Sequence, residues 1–394
     1  MASPHRFVFA SDAFKGTLSS AQTAALLEDA ACARFPDCDC VGVPMADGGT
    51  GTVDVLIAAC GGEKRNVSVH DPFGRSIRAS YGLLSGERAV IEMAAASGDR
   101  LPAPKERDPL AATSYGTGEL ISDALARGCS DITVALGDSV AIDGGMGCMR
   151  ALGVRFLDED GSELFGGGRD LARVHSVDLT LFRLYVGTAR FRVMCDEKIP
   201  LLGPNGAVSS CASLDGADPQ SVQALERGME SYASVLEGEF SGVGLAGVRD
   251  VPGAGAAGGL GAACAAFLSA RLESGIESVL DIVGFDELLE GADLCITGEG
   301  RFDARSTSGR VVAGVAGACE QHDVPCVAIV GGIGDGASAS GVRGLSAVMP
   351  AVDAPMSLDE AANRAEDLYA RAAERLFALL AVGESYRTQE SHGM

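Results

Sequence analysis

The chain reads as an α/β protein built on mostly parallel sheet, and three observations carry that prediction. Short apolar runs recur ahead of Gly-rich turns and Ala-rich helical segments: Arg6–Ala10, Val41–Met45, Ala89–Met93, Ile132–Leu136, Phe191–Cys195, Leu294–Thr297 and Cys326–Val330. At 394 residues, 47% of them hydrophobic, the chain is long enough for two domains of ~150 residues each. The third observation is a change of style. Val67–Leu84 alternates apolar and polar residues around a D-P-F-G turn at Asp71–Gly74, the pattern of an antiparallel hairpin rather than a βα unit. A second α/β domain is therefore expected as an insert over about 66–284, with 1–65 and 285–394 forming the first.

The elements follow in order. Arg6–Ala10 suits an inner strand and runs into S-D-A-F-K-G-T (Ser11–Thr17), after which Ser19-x-x-Gln22 forms a capping box. Asp12 and Lys15 thus lie in a strand-to-helix loop, where open α/β sheets hold ligands; a solvated ion pair is the plainer account of the same residues. D-G-G-x-G occurs at Asp47–Gly51 and again at Asp143–Gly147, each ahead of a helical segment (Val53–Cys60 and Cys148–Leu152). Glycine lets a ligand approach the backbone, and a helix start offers N–H groups to an anion, so the two loops read as parts of one polyanion site. A third glycine cluster, V-P-G-A-G-A-A-G-G-L-G at Val251–Gly261, leads into a predicted helix over Ala262–Leu272. It lacks the Lys-Ser/Thr ending of a P-loop, and close helix packing is the other explanation of its small residues. I-T-G-E-G-R-F-D (Ile296–Asp303) places Glu299, Arg301 and Asp303 at the end of a strand, a set able to hold a hard divalent cation and to fork onto a carboxylate or phosphate. Ser357-x-x-Glu360 caps a predicted helix over Ser357–Leu380, with Leu358, Ala361, Ala365, Leu368, Ala372, Leu376 and Leu379 on its inner face. The polar Gly383–Met394 is expected to fray.

Composition narrows the function. Acids outnumber bases 54 to 31, for a net charge of -23, which excludes a nucleic-acid-binding surface and makes each basic residue in a glycine loop informative. Lys15, Arg301, Arg305 and Arg310 are such residues. The 12 cysteines are scattered, without paired C-x-x-C motifs and without a signal-like N-terminus, which predicts a reduced cytoplasmic protein. Cys38 and Cys40 are spaced for neither a zinc knuckle nor a redox pair, and the histidines form no metal pattern. No apolar run reaches the ~20 residues of a membrane span, so a soluble protein is expected.

S-D-A-F-K-G-T, P-M-A-D-G-G-T-G-T (Pro44–Thr52), E-M-A-A-A-S-G (Glu92–Gly98), Y-G-T-G-E-L-I (Tyr115–Ile121), G-P-N-G-A (Gly203–Ala207), P-G-A-G-A-A-G-G-L-G (Pro252–Gly261) and I-T-G-E-G-R-F-D stand in an order and spacing that resembles the type I glycerate kinase family, from about residue 6 to 380. The resemblance implies a Rossmann-like domain, assembled from both chain ends, that carries an inserted second domain. It implies ATP-dependent phosphorylation of D-glycerate to 2-phosphoglycerate with Mg²⁺, and so glycerate and a nucleotide as small-molecule partners; a homodimer is the assembly considered. Lys15 and Arg301 become candidates to meet the glycerate carboxylate, and Asp47 and Asp196 to act as base or Mg²⁺ ligand. Asp196, Glu299 and Asp303 form the metal set. Gly48, Gly49, Ser139, Asp143, Gly144, Gly145, Gly255, Gly258 and Gly259 form the nucleotide-binding set.

The chain also departs from the family pattern. Asp138 stands where the pattern has glycine, and Ala141–Ile142 where it has Thr–Asn. Ser209–Ala217 lacks the usual lysine, and Arg305 and Arg310 replace Gln and Lys. A carboxylate 4 Å from a phosphate costs about 4 kcal/mol per unit charge at an effective dielectric of 20. Two alternatives follow: a kinase for another small hydroxy acid, or a non-catalytic ligand-binding paralogue.

Overall fold

A computed structural model describes residues 5–14, 16–103, 106–195, 198–212, 218–241, 247–307, 309–336 and 338–392. The chain divides into two compact units, residues 1–47 with 279–394, and residues 48–278. The first crossing lies earlier than residue 65 because the helix Thr52–Cys60 buries Val53 and Leu56 against Val90 and Met194 of the second unit.

The first unit holds a five-stranded sheet in the order Leu345–Pro350, Cys326–Val330, Leu294–Gly298, Arg6–Ser11, Asp39–Gly42, with every neighbouring pair parallel. Numbered within the unit this is 5-4-3-1-2, a doubly wound order that reverses between Arg6–Ser11 and Leu294–Gly298. Those two strands are buried because their apolar runs are covered on both faces. The helix Ser20–Arg34 starts on the capping box of Ser19 and Gln22. The core gathers Phe7, Phe9, Leu27, Ile296, Tyr369 and Phe377, with the Phe7 and Phe377 rings 5.3 Å apart edge to face.

The C-terminal helix departs from expectation. It is two helices, Leu358–Asn363 and Ala365–His392, parted at Arg364 (φ -112°, ψ 14°). The break turns the apolar face, so Leu358 and Leu379 are 85% and 67% exposed while Leu368, Tyr369, Ala372, Ala373, Leu376 and Phe377 point inward. The segment expected to fray continues the helix as far as His392.

In the second unit a six-stranded sheet runs Arg271–Ser274, Arg190–Cys195, Asp131–Leu136, Arg88–Glu92, Ser76–Leu84, Gly62–His70. The first four strands are parallel and the last two are the expected hairpin. Its turn is set by the Asp71 carboxylate, which accepts hydrogen bonds from the Phe73 and Arg75 backbone N–H groups and from Arg75 Nε. The predicted helix over Ala262–Leu272 instead spans Ala256–Leu268, and Arg271–Ser274 is a strand paired with Arg192–Cys195. Ala257, Gly258 and Gly259 take positive φ inside that helix, so its first turn is a left-handed kink. Among the described residues no helix is long and apolar enough to cross a membrane.

Candidate functional site

The first unit concentrates acidic side chains at its topological switch point. The parallel register of Arg6–Ser11 and Leu294–Gly298 brings Ser11 beside Gly298, and the next residue, Asp12, donates its N–H to Gly298 O at 2.8 Å. Gly298 is required there, since a Cβ would stand 2.0 Å from Ile329 O. Glu299 follows directly and is only 4% exposed. Burial pushes its carboxyl pKa up to about 7; the Ser306 hydroxyl and Arg310 pull it down, and the charges of Asp47 and Asp303 push it further up. Its Oε1 is buried without a hydrogen-bond partner. Asp47, itself 5% exposed and in the same unit, lies close enough for its charge to act on Glu299.

Arg301 points outward, 73% exposed, with Nε 3.4 Å from Asp303 Oδ2. Two residues missed in the sequence complete the cluster. Ser306 is fully buried, accepts from the Asp303 backbone N–H at 3.0 Å and also bonds the Glu299 carboxyl, so one hydroxyl ties the Asp303 backbone to Glu299. Gly334 leaves room for the guanidinium, because a Cβ there would lie 3.2 Å from Arg301 Nε and 3.1 Å from Asp303 Cβ. The D-x-x-S spacing of Asp303 and Ser306 was the available signal. Lys15 and Asp196 lie outside the described residues, as does the side chain of Arg305.

In the second unit internal carboxylates sit at the starts of the helices that follow the glycine loops. The N–H groups of Gly51 and Val53, at the start of the helix Thr52–Cys60, donate to Glu92 Oε1 at 3.0 and 2.7 Å. Burial raises the Glu92 pKa, with these two bonds opposing the shift. Asp143 is fully buried, and its carboxylate accepts from the Ser114 N–H and hydroxyl, the Thr113 hydroxyl, and the Gly145 and Gly147 N–H groups. At both helix starts an internal carboxylate accepts from some of the first N–H groups. Asp143 anchors its loop.

The remaining glycines of the expected nucleotide set lie where an added Cβ would crowd a neighbour. A Cβ would stand 2.6 Å from the Tyr232 ring at Gly144, 2.5 Å from Ala263 Cβ at Gly145, 2.1 Å from Pro200 O at Gly255 and 2.0 Å from Ala141 O at Gly258. At Gly259 it would lie 3.0 Å from Gly144 Cα, and the Gly144 N–H donates to Gly258 O at 3.0 Å, so two glycine loops dock on each other. Gly48 packs against Met194, and Gly49 accepts the Thr52 hydroxyl at 2.7 Å. Ser139, half-buried, bonds Ala141 through its hydroxyl.

Asp138, in the departing segment, has φ +56° and accepts the Thr50 hydroxyl at 2.8 Å. It lines a cavity of about 150 Å³ with Thr50, Glu92, Ala95, Asp99 and Arg100. That cavity is acidic with one guanidinium, a lining suited to hydroxyl and ammonium groups or to a cation more than to bare phosphate.

Two parallel-sheet units, with a buried acidic cluster at the strand ends of one and glycine-turn helix starts in the other, make an α/β protein. The comparisons make this specific. The model of the glycerate kinase family matches residues 7–381. The chain is 39% identical over 379 residues to the glycerate 2-kinase of Escherichia coli (strain K12), covering 96% of this chain and 98% of that one. It is 36% identical over 381 residues to the glycerate kinase of Bacillus subtilis (strain 168), covering 96% and 99%. The crystal structure of a candidate glycerate kinase 2 from Salmonella typhimurium LT2 superposes with a TM-score of 0.81 at 36% identity, over 97% of this chain and 99% of that chain. The chain belongs to the glycerate kinase family.

Proposed function

We propose that this protein transfers the γ-phosphoryl group of ATP to the 2-hydroxyl of D-glycerate, giving 2-phosphoglycerate and ADP, with Mg²⁺ and in the cytoplasm. The observation that carries the reading is the buried Glu299 at the switch point, with an unpartnered Oε1 and the charges of Asp47 and Asp303 close enough to raise its pKa. An all-oxygen donor set short of a partner fits Mg²⁺. Glu299, Asp303 and Asp196 would hold the ion, which when bound neutralises charge on the transferring phosphoryl group.

The chain's own residues supply the rest. Arg301, exposed and lightly paired, forks onto the glycerate carboxylate together with Lys15. As the glycerate hydroxyl oxygen bonds to phosphorus its proton passes to a carboxylate oxygen, that of Asp47 or Asp196. Gly48, Gly49 and Ser139 meet the nucleotide, while Asp143, Gly144, Gly145, Gly255, Gly258 and Gly259 shape the loops beneath. The Asp138 cavity favours a second reading, in which the acceptor is a different small hydroxy acid. ³¹P NMR of the product from D-glycerate and from a panel of two- to four-carbon hydroxy acids separates the two: a 2-phosphoglycerate signal from the best substrate supports the first, and a better acceptor within the panel the second.

A further inference from the structure

The fold gathers three thiols that the sequence holds apart. Cys32 lies in the last turn of the helix Ser20–Arg34, Cys38 ends a tight turn closed by its own N–H bonding to Phe35 O at 3.0 Å, and Cys40 sits in the strand Asp39–Gly42 opposite Phe7. Cys32 Sγ is 3.8 Å from Cys38 Sγ, Cys38 Sγ is 3.4 Å from Cys40 Sγ, and all three sulfurs fall within 4.8 Å of one another. Sulfurs sharing one tetrahedral or trigonal ion at a metal–sulfur distance of about 2.3 Å stand about 3.8 Å apart, so little rearrangement separates this geometry from a bound one. The scaffold is rigid: a helix end, a hydrogen-bonded turn and a sheet strand, with Cys38 and Cys40 packed on the core of the unit.

Access distinguishes this trio from the other one. Cys32 is exposed and its partners are half-buried, whereas Cys295, Cys319 and Cys326 also cluster but are wholly buried, as core thiols are. Glu28, one helical turn before Cys32 and near enough to push its thiol pKa upward, adds a carboxylate to the same face. All three thiols belong to a part of the unit that contributes nothing to the acidic cluster around Glu299.

We propose that Cys32, Cys38 and Cys40 form a binding site for a thiophilic d¹⁰ cation, zinc or monovalent copper, separate from the phosphoryl-transfer machinery. Three soft sulfur donors select these ions over Mg²⁺ or Ca²⁺. Each bound thiol gives up its proton, so uptake releases protons and strengthens with rising pH.

The test uses the full chain, reduced and stripped of metal, titrated with Zn²⁺ against a chromophoric chelator and with Cu⁺ against bicinchoninate. The expected result is one equivalent of zinc or copper bound at about 10⁻⁷ M or tighter. It is accompanied by protection of Cys32, Cys38 and Cys40 from a thiol reagent, read by mass spectrometry. Cys38→Ser, and independently the exposed Cys32→Ser, weaken binding by about 10-fold or more, while Cys319→Ser leaves it unchanged. Zinc retained identifies a zinc site; copper alone retained identifies a copper site. Binding of neither ion, or binding that survives Cys32→Ser and is lost in Cys319→Ser, overturns the proposal.

Discussion

Glu299 is a carboxyl held against its preference. Burial raises its pKa from 4.5 to about 7, which makes the native state bind a proton that the unfolded chain has released. The sign follows: the stability that this proton supports is complete below pH 4.5 and declines as pH rises through about 7, by on the order of 3 kcal/mol at most. Glu299→Gln removes the titration, so urea denaturation in EDTA at pH 5 and pH 8 is expected to show the variant gaining on the native chain at pH 8. Equal pH dependence in the two proteins would place the Glu299 carboxyl elsewhere than in this cluster. Arg301 illustrates the opposite case, an exposed charge paired with Asp303 at 3.4 Å. Arg301→Ala is expected to leave the denaturation midpoint nearly unchanged, because the side chain is 73% exposed. The same change is expected to lower kcat/KM for glycerate by about 10²-fold, the loss of ~3 kcal/mol of charge complementarity in the transition state. Wild-type kinetics would remove Arg301 from the substrate site.

At the scale of elements, the glycine loops owe their composition to packing. Gly258 combines φ +63° with a Cβ position 2.0 Å from Ala141 O, whereas Gly86 has φ +77° and open space around it. Gly86→Ala should therefore cost about 1 kcal/mol for the left-handed backbone alone, and Gly258→Ala at least 3 kcal/mol through a displaced loop, both read from denaturation midpoints. Similar losses would show that the two glycine loops are not docked. The inner strands were legible because each apolar run is short, bounded and buried by the sheet that it predicts. The run Val41–Met45 overshoots the edge strand Asp39–Gly42, none of whose residues is buried, and the partly exposed edge strand Leu345–Pro350 gave no such run. The caps of Ser19 and Ser357 were legible because their partners lie three residues away. The partners of the D-G-G helix starts were not: Glu92 lies 41 residues from Gly51, a distance at which no local pattern operates. Arg271–Ser274 was hidden by the apolar, Ala-rich stretch before it, which runs on without a break signal until Ser269 turns to φ +49°. In the site, Glu299, Arg301 and Asp303 were legible from their place on a strand end. The approach of Asp47, and the bracing by Ser306 and Gly334, needed the fold.

For the whole molecule, one unit holds an acidic cluster and the other holds glycine-turn loops. A net charge of -23 surrounds both. Such a field repels anionic substrates at long range, and a Debye length of about 10 Å at 0.1 M salt screens most of it. Raising ionic strength from about 0.01 to 0.15 M is therefore expected to raise kcat/KM for glycerate a few-fold, with kcat little changed; a fall would mean that local cations dominate the approach. The decisive measurement is coupled ADP release from ATP and D-glycerate, with and without Mg²⁺, in the native chain and in Glu299→Gln. The expected result is Mg²⁺-dependent turnover in the native chain, reduced by about 10²-fold or more in the variant. Turnover at background in the native chain, or undiminished in Glu299→Gln, would contradict phosphoryl transfer at the switch point.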